Sequence, residues 1–315
     1  MPLPRPTVPQ MRGLALASLV ANILIVVTGG AVRLTGSGLG CPSWPQCSSE
    51  SFVSHPELGI HGLIEFGNRL LTFVVAIVVG LAWLAALRMR PRRRDLIRLS
   101  TVLLLGIPFQ AVMGGMTVLT DLNPWVVSAH FLVSPALITV AVVLVRRVGE
   151  PEGPVRPTVP VPVRRLAIAT FVVTFVVMYV GTIVTGSGPH AGDARAPRNG
   201  LDPEMMSQLH ADLVFLLVGL TIGTLVALRA TGAPARAQRA ATWLLIAELA
   251  QGVVGFTQYF TGLPAVIVGA HLLGAALTVA AAIWTMLGTR ERVNVDAPAP
   301  AGPTEFAPVG AGSKG

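Results

Sequence analysis

The sequence predicts an all-α integral membrane protein, with eight transmembrane helices arranged as two tandem four-helix bundles. Three observations lead there. The chain is 52% hydrophobic and 12% charged, with mean hydropathy +0.68; a soluble chain of 315 residues needs far more polar surface. Apolar runs recur near 14–32, 64–88, 97–119, 124–146, 165–185, 206–229, 240–260 and 264–287. Each is long enough to cross about 30 Å of hydrocarbon as a helix. Finally, one passage occurs twice. Gln110-Ala-Val-Met-Gly-Gly, a Leu-Asn-Pro turn and Trp-Val-Val-Ser-Ala-His130 return as Gln251-Gly-Val-Val-Gly-Phe, a Gly-Leu-Pro turn and Ala-Val-Ile-Val-Gly-Ala-His271.

Arginines set the orientation. Arg88, Arg90, Arg92, Arg93, Arg94 and Arg98, then Arg146, Arg147, Arg164 and Arg165, then Arg229, Arg236 and Arg239 fill alternate connections. Arg5, Arg12, Arg290 and Arg292 flank the ends on that same side, whereas the opposite connections hold Arg33, Arg195 and Arg198. The positive-inside rule makes the arginine-rich side cytoplasmic, with both termini there, in a multi-pass plasma-membrane protein. The net charge of +8 therefore reads as topology and not as nucleic-acid binding.

In chain order, residues 1–13 form a cytoplasmic N-terminus. The first span is expected to be retained, because no small-residue cleavage site follows it. It leaves the bilayer through Thr35-Gly-Ser-Gly38, and span five leaves through Thr185-Gly-Ser-Gly188, a second mark of duplication. The N-terminal half is 14–148 and the C-terminal half 165–290, joined by a proline-rich cytoplasmic linker, 149–164; a disordered tail follows from 291 to 315. A four-helix unit returns the chain to its starting side, so the halves should be related by a pseudo-two-fold axis along the membrane normal.

Cys41 and Cys47 are the only cysteines and fall in the first external loop, on the oxidising side, where a disulfide is expected. A structural staple and a redox pair both fit them. Beyond this loop, His61, Glu65 and Asn68 are spaced to share one helix face pointing into the bundle. Histidine inside lipid is costly without a partner and marks a functional site. His210 on span six and His271 on span eight sit at matched depth, as an axial haem pair requires; helix-packing histidines and a zinc site are the alternatives. His130 corresponds to His271, and Asn68 to His210. Arg33 and Arg69 are candidates for haem propionates or for snorkelling to the interface. His55 and His190 read as loop histidines. Asp212, Glu248, Gln110 and Gln251 are intramembrane polar groups suited to bonding between helices.

The stretch Gly29-Gly-Ala-Val-Arg-Leu-Thr-Gly-Ser-Gly-Leu-Gly-Cys41-Pro-Ser-Trp44-Pro-Gln-Cys47, followed by Ile64-Glu65-Phe-Gly-Asn68-Arg69 and the histidines at 130, 210 and 271, resembles haem A synthase over about residues 12–290. The resemblance implies an enzyme that oxidises the C8 methyl of haem O to a formyl group by successive hydroxylations, giving haem A for cytochrome oxidase. It assigns haem b to His210 and His271 and the iron of haem O to His130, with His61, Asn68 and Arg69 lining that pocket. Glu65 becomes the catalytic acid/base, or the group that stabilises a developing cation. Haem O synthase and a membrane electron donor are the implied partners, and a homo-oligomer is left open. Many members of the family read Glu-x-x-His-Arg where this chain has Asn68, and a second external cysteine pair found in some is absent.

The rival from another class is a non-enzymatic di-haem b-type electron-transfer protein of the membrane, which has little use for Glu65. A transporter is the third reading, and predicts helices broken at mid-membrane.

Overall fold

The computed structural model describes residues 5–293; residues 1–4 and the expected tail from 294 onward lie outside it. Eight helices carry the fold: α1 (Val8–Leu34), α2 (Gly59–Arg88), α3 (Arg94–Leu119), α4 (Pro124–Val148), α5 (Val161–Ser187), α6 (Pro203–Ala230), α7 (Ala235–Phe260) and α8 (Ala265–Gly288). All eight are long and apolar enough to cross a membrane. Most run past the expected spans by a few residues at one end or both; three begin at side-chain caps that hydropathy does not register. Thr7 and Gln10 close a reciprocal capping box on α1, Asn123 caps α4 and Asp202 caps α6, with proline next in both of the last two.

Helices α1 to α4 pack as a ring in which each touches the next and α4 closes on α1; α5 to α8 form a second ring in the same way. Helices α2 and α4 are therefore diagonal in the first ring, as α6 and α8 are in the second. The rings join through α1, α4, α5 and α8. Met11, Val79, Leu96, Leu103 and Leu144 fill the first ring, and Val163, Leu225, Leu228 and Ala241 pack inside the second. Val26, Ile138, Val142, Val279 and Ile283 form the seam.

Large apolar side chains such as Phe73, Val253, Phe260 and Val266 cover the outer surface, as a lipid solvent permits. Because lipid supplies no hydrophobic drive between helices, close packing and interhelical hydrogen bonds hold them together. Gly106 lies under Leu137, Gly30 under Leu272 and Gly288 against Ala237. Thr170 and Thr224 link α5 to α6 (3.0 Å), Trp83 donates to Thr101 (2.9 Å), and Ser128 bonds Thr182 across the seam.

At the arginine-rich end the linker is pinned. Strand β1 (Val155–Pro157) pairs antiparallel with β2 (Arg290–Arg292), with Arg156 opposite Glu291. Residues 291 and 292, expected in the tail, are thus strand. Asp95 accepts from Arg93 (3.0 Å) and pairs with Arg147; Glu150 accepts from Arg146 (2.7 Å) and Arg147 (3.1 Å). Burial alone would raise the Glu150 carboxyl, but the bonds from Arg146 and Arg147 outweigh it and hold the group below its ordinary value.

Candidate functional site

The loop after α1 folds back over the start of α2. Cys41 and Cys47 form a disulfide with Cα atoms 4.4 Å apart, and both are fully buried. Beneath them, Glu65 is 6% exposed. Its Oε2 accepts from the Cys41 backbone N–H (2.7 Å) and its Oε1 from Arg69 Nη2 (2.6 Å). Arg69 also donates to the carbonyls of Gln46 (3.1 Å), Ser43 (3.1 Å) and Cys41 (3.3 Å). One carboxylate and one guanidinium thus fasten the disulfide loop. Trp44 of that loop lies against Gly115 on α3, so the loop roofs the first ring.

His61, Glu65 and Asn68 share a helix but not an environment. His61 sits in the first turn of α2, exposed, with Nδ1 2.9 Å from Ser37 Oγ. The Asn68 Oδ1 is buried without a hydrogen-bond partner. Arg33 donates to the carbonyls of His190 (2.6 Å) and Thr185 (3.2 Å), and His190 Nε2 lies 2.8 Å from the Leu263 carbonyl. Arg33, near the end of α1, thus ties the first half to the α5–α6 loop, which His190 ties in turn to the α7–α8 turn. Asp212 is exposed and accepts from Gln208 (2.8 Å), whereas Glu248 is 3% exposed and accepts from Thr221 (2.8 Å).

In the second ring, His210 and His271 stand on the diagonal helices α6 and α8. Both Nδ1 atoms are buried without a hydrogen-bond partner; the Val177 carbonyl lies near the His210 ring without a well-aligned bond. An unpaired buried imidazole nitrogen costs about 1–3 kcal/mol, so the pair is incomplete as it stands.

Each candidate ligand faces a glycine on the helix before it. A Cβ on Gly181 would meet His210 at 3.1 Å, one on Gly255 would meet His271 at 3.5 Å, and one on Gly114 would meet His130 at 3.4 Å. Gly29 stands in the same relation to Asn68, at 4.0 Å. Gly114 and Gly255 stand inside the repeated passage at the same place, so their recurrence could have drawn attention to them from sequence. Two imidazoles on diagonal helices, each backed by glycine, fit a porphyrin iron. Among the described residues, no three His, Cys, Asp or Glu side chains gather around one point as a zinc site would need.

Comparison with known proteins bears on residues 12–197, which match the family model described as cytochrome oxidase assembly protein. Glu65, His130 and the disulfide fall inside that match; His210 and His271 fall outside it. Among similar proteins, "Heme A synthase" of Bacillus pumilus is 38% identical over 125 residues, 39% of each chain. That of Geobacillus thermodenitrificans is 32% identical over 122 residues, 38% of this chain and 37% of the relative. That of Symbiobacterium thermophilum is 28% identical over 184 residues, 54% of this chain and 58% of the relative. The chain thus spans between roughly a third and three-fifths of the length of these curated relatives. The family match covers more than half of the sequence, and the chain belongs to the cytochrome oxidase assembly protein family.

Proposed function

We propose that this protein is a haem A synthase that oxidises the C8 methyl of haem O to a formyl group through successive hydroxylations. The observation that carries the proposal is the matched pair of rings, each with a glycine-backed histidine at the same place in its last helix. Two such places suit a substrate porphyrin in one ring and a resident one in the other. His210 and His271, each backed by a glycine on the preceding helix, would hold haem b. Haem b supplies one-electron transfer when bound.

In the first ring, His130 would take the iron of haem O. Asn68 stands where the second ring has a histidine, and an amide is a poor iron ligand. We therefore assign the haem O iron a single protein ligand and an open opposite face. Glu65 is held by the Cys41 amide and Arg69, with both oxygens engaged, which favours a fixed charge beside a developing cation over a proton acceptor. Each hydroxylation removes two electrons from the methyl carbon, with dioxygen as oxidant. One oxygen atom enters the C–H bond, and the other leaves as water with two electrons from the membrane donor and two protons. The first gives an alcohol, and the second a gem-diol that loses water to the aldehyde.

The arginine-rich end would face the cytoplasm and the disulfide loop the outside of the plasma membrane. Residues 14–148 and 165–290 would be the substrate and cofactor halves, related by a pseudo-two-fold axis along the membrane normal. Haem O synthase is the proposed upstream partner and a membrane electron carrier the redox partner. Continuous helices disfavour a transporter. Co-expression with a haem O supply, followed by extraction and mass analysis of the pigments, tests the reading. Formyl-bearing haem A is expected; two stable b haems and no haem A would instead support an electron-transfer protein.

A further inference from the structure

Resting on the reading that the first ring holds haem O, we propose that Gln110 is the positioning residue for His130, through an amide that turns over when His130 takes the iron. Gln110 on α3 reaches the His130 ring. In the orientation that satisfies its surroundings, its Nε2 donates to His130 Nδ1 (3.0 Å) and to the His130 carbonyl (3.2 Å). Its Oε1 then accepts from the Ser134 backbone N–H (3.2 Å) and hydroxyl (2.8 Å). A neutral imidazole that accepts at Nδ1 carries its proton on Nε2.

An iron takes the lone pair of a ring nitrogen. With Nε2 bound to iron, that proton must leave and one must be held on Nδ1, with no net change in proton count. Nδ1 then donates, and Gln110 has to present Oε1 to it. Reversing the amide gives up the His130 carbonyl and the Ser134 N–H. It keeps Ser134, because Nε2 now donates to the Ser134 hydroxyl at 2.8 Å. A hydroxyl both donates and accepts, so Ser134 serves either orientation.

The second ring lacks this device. Gln251 Nε2 donates to the His271 carbonyl (2.8 Å), its amide lies against Gly274, and His271 Nδ1 is unpaired. Four residues beyond His271 stands Ala275, where the first ring has Ser134. The same glutamine therefore clamps backbone in one ring and adjusts a ligand ring in the other.

The test uses the purified full-length protein carrying its second-ring haem, titrated with haem O. Its readouts are the iron–histidine stretch in the ferrous resonance Raman spectrum, the midpoint potential and the affinity of the first-ring haem. Gln110→Leu should lower the stretching frequency, raise the potential and weaken haem O binding by about 10–100-fold. Gln110→Glu, which restores an acceptor for Nδ1, should rescue all three. Gln251→Leu should leave the potential of the second-ring haem in place, and an unchanged second-ring spectrum in every variant certifies folding. Wild type that binds haem O while Gln110→Leu shifts none of the three readouts overturns the proposal alone. Wild type that takes up no haem O in the first ring overturns the underlying reading, and the proposal with it.

Discussion

Glu65 Oε2 and the backbone N–H of Cys41 are hydrogen-bonded at 2.7 Å, so a membrane-embedded carboxylate holds down the disulfide loop. The same carboxylate is paired with Arg69, which grips three further carbonyls of that loop. Placement of the acid and placement of the loop are one arrangement.

Replacing Glu65 with glutamine keeps an acceptor for the Cys41 N–H but removes the charge beside Arg69. Haem A formation should fall at least about 100-fold, the scale of losing an electrostatic contact to a transition state. The second-ring haem should be retained in full. Pigment extraction with mass analysis checks the first outcome, and the reduced absorbance spectrum the second. Unchanged haem A yield would remove Glu65 from the chemistry.

Asn68→His places an imidazole where the first ring has an amide. The first-ring haem should change from a five-coordinate, high-spin centre to a six-coordinate, low-spin one, read by electron paramagnetic resonance. Carbon monoxide should bind wild type and be excluded from the variant. A variant that stays high-spin with haem bound would show that Asn68 does not face the iron.

His210→Ala and His271→Ala should each abolish stable haem b retention, since each removes one of the two proposed ligands. Gly181→Val should do the same with both histidines intact, because a Cβ there already meets His210 at 3.1 Å. Haem content per protein, measured as the pyridine haemochrome, distinguishes these from variants that merely lower activity. Full haem content in Gly181→Val would mean that His210 moves freely.

The Glu150 carboxyl, held low by Arg146 and Arg147, makes a pH-dependent contribution to stability. The folded state gives up this proton more readily than the unfolded chain. The contribution is therefore complete above the ordinary value of 4.5 and lost as pH falls through the lower folded value. Glu150→Gln should cost on the order of 1 kcal/mol at neutral pH and nothing well below pH 4. Thermal unfolding in detergent across pH 3–8 reads the difference; a gap that persists at the acid end would contradict it.

Much of this was legible beforehand. Eight helices follow from apolar runs, and the start of α4 at 124 with them, whereas the cap at Asp202 sets α6 three residues earlier than its apolar run. The pairing of Cys41 with Cys47 follows from their being alone. Periodicity put His61 on the same face as Glu65, yet one turn separates a buried carboxylate from an exposed ring bonded to Ser37. Periodicity gives direction around a helix and not depth along it. That Arg69 would also bind the disulfide loop was not legible, because a sequence does not reveal that a loop will fold back onto the helix that follows it. The linker looked like a spacer because its prolines obscure a three-residue strand whose partner lies more than a hundred residues away.

That short ribbon has a consequence for how the chain can be divided. Severing the backbone between Thr158 and Pro160 would leave Val155–Pro157 on one fragment and Arg290–Arg292 on the other, still zipped edge to edge, with Arg146 donating to the Arg290 carbonyl beside them. Two separately translated pieces therefore carry matching tabs, and the nick falls where no helix is interrupted.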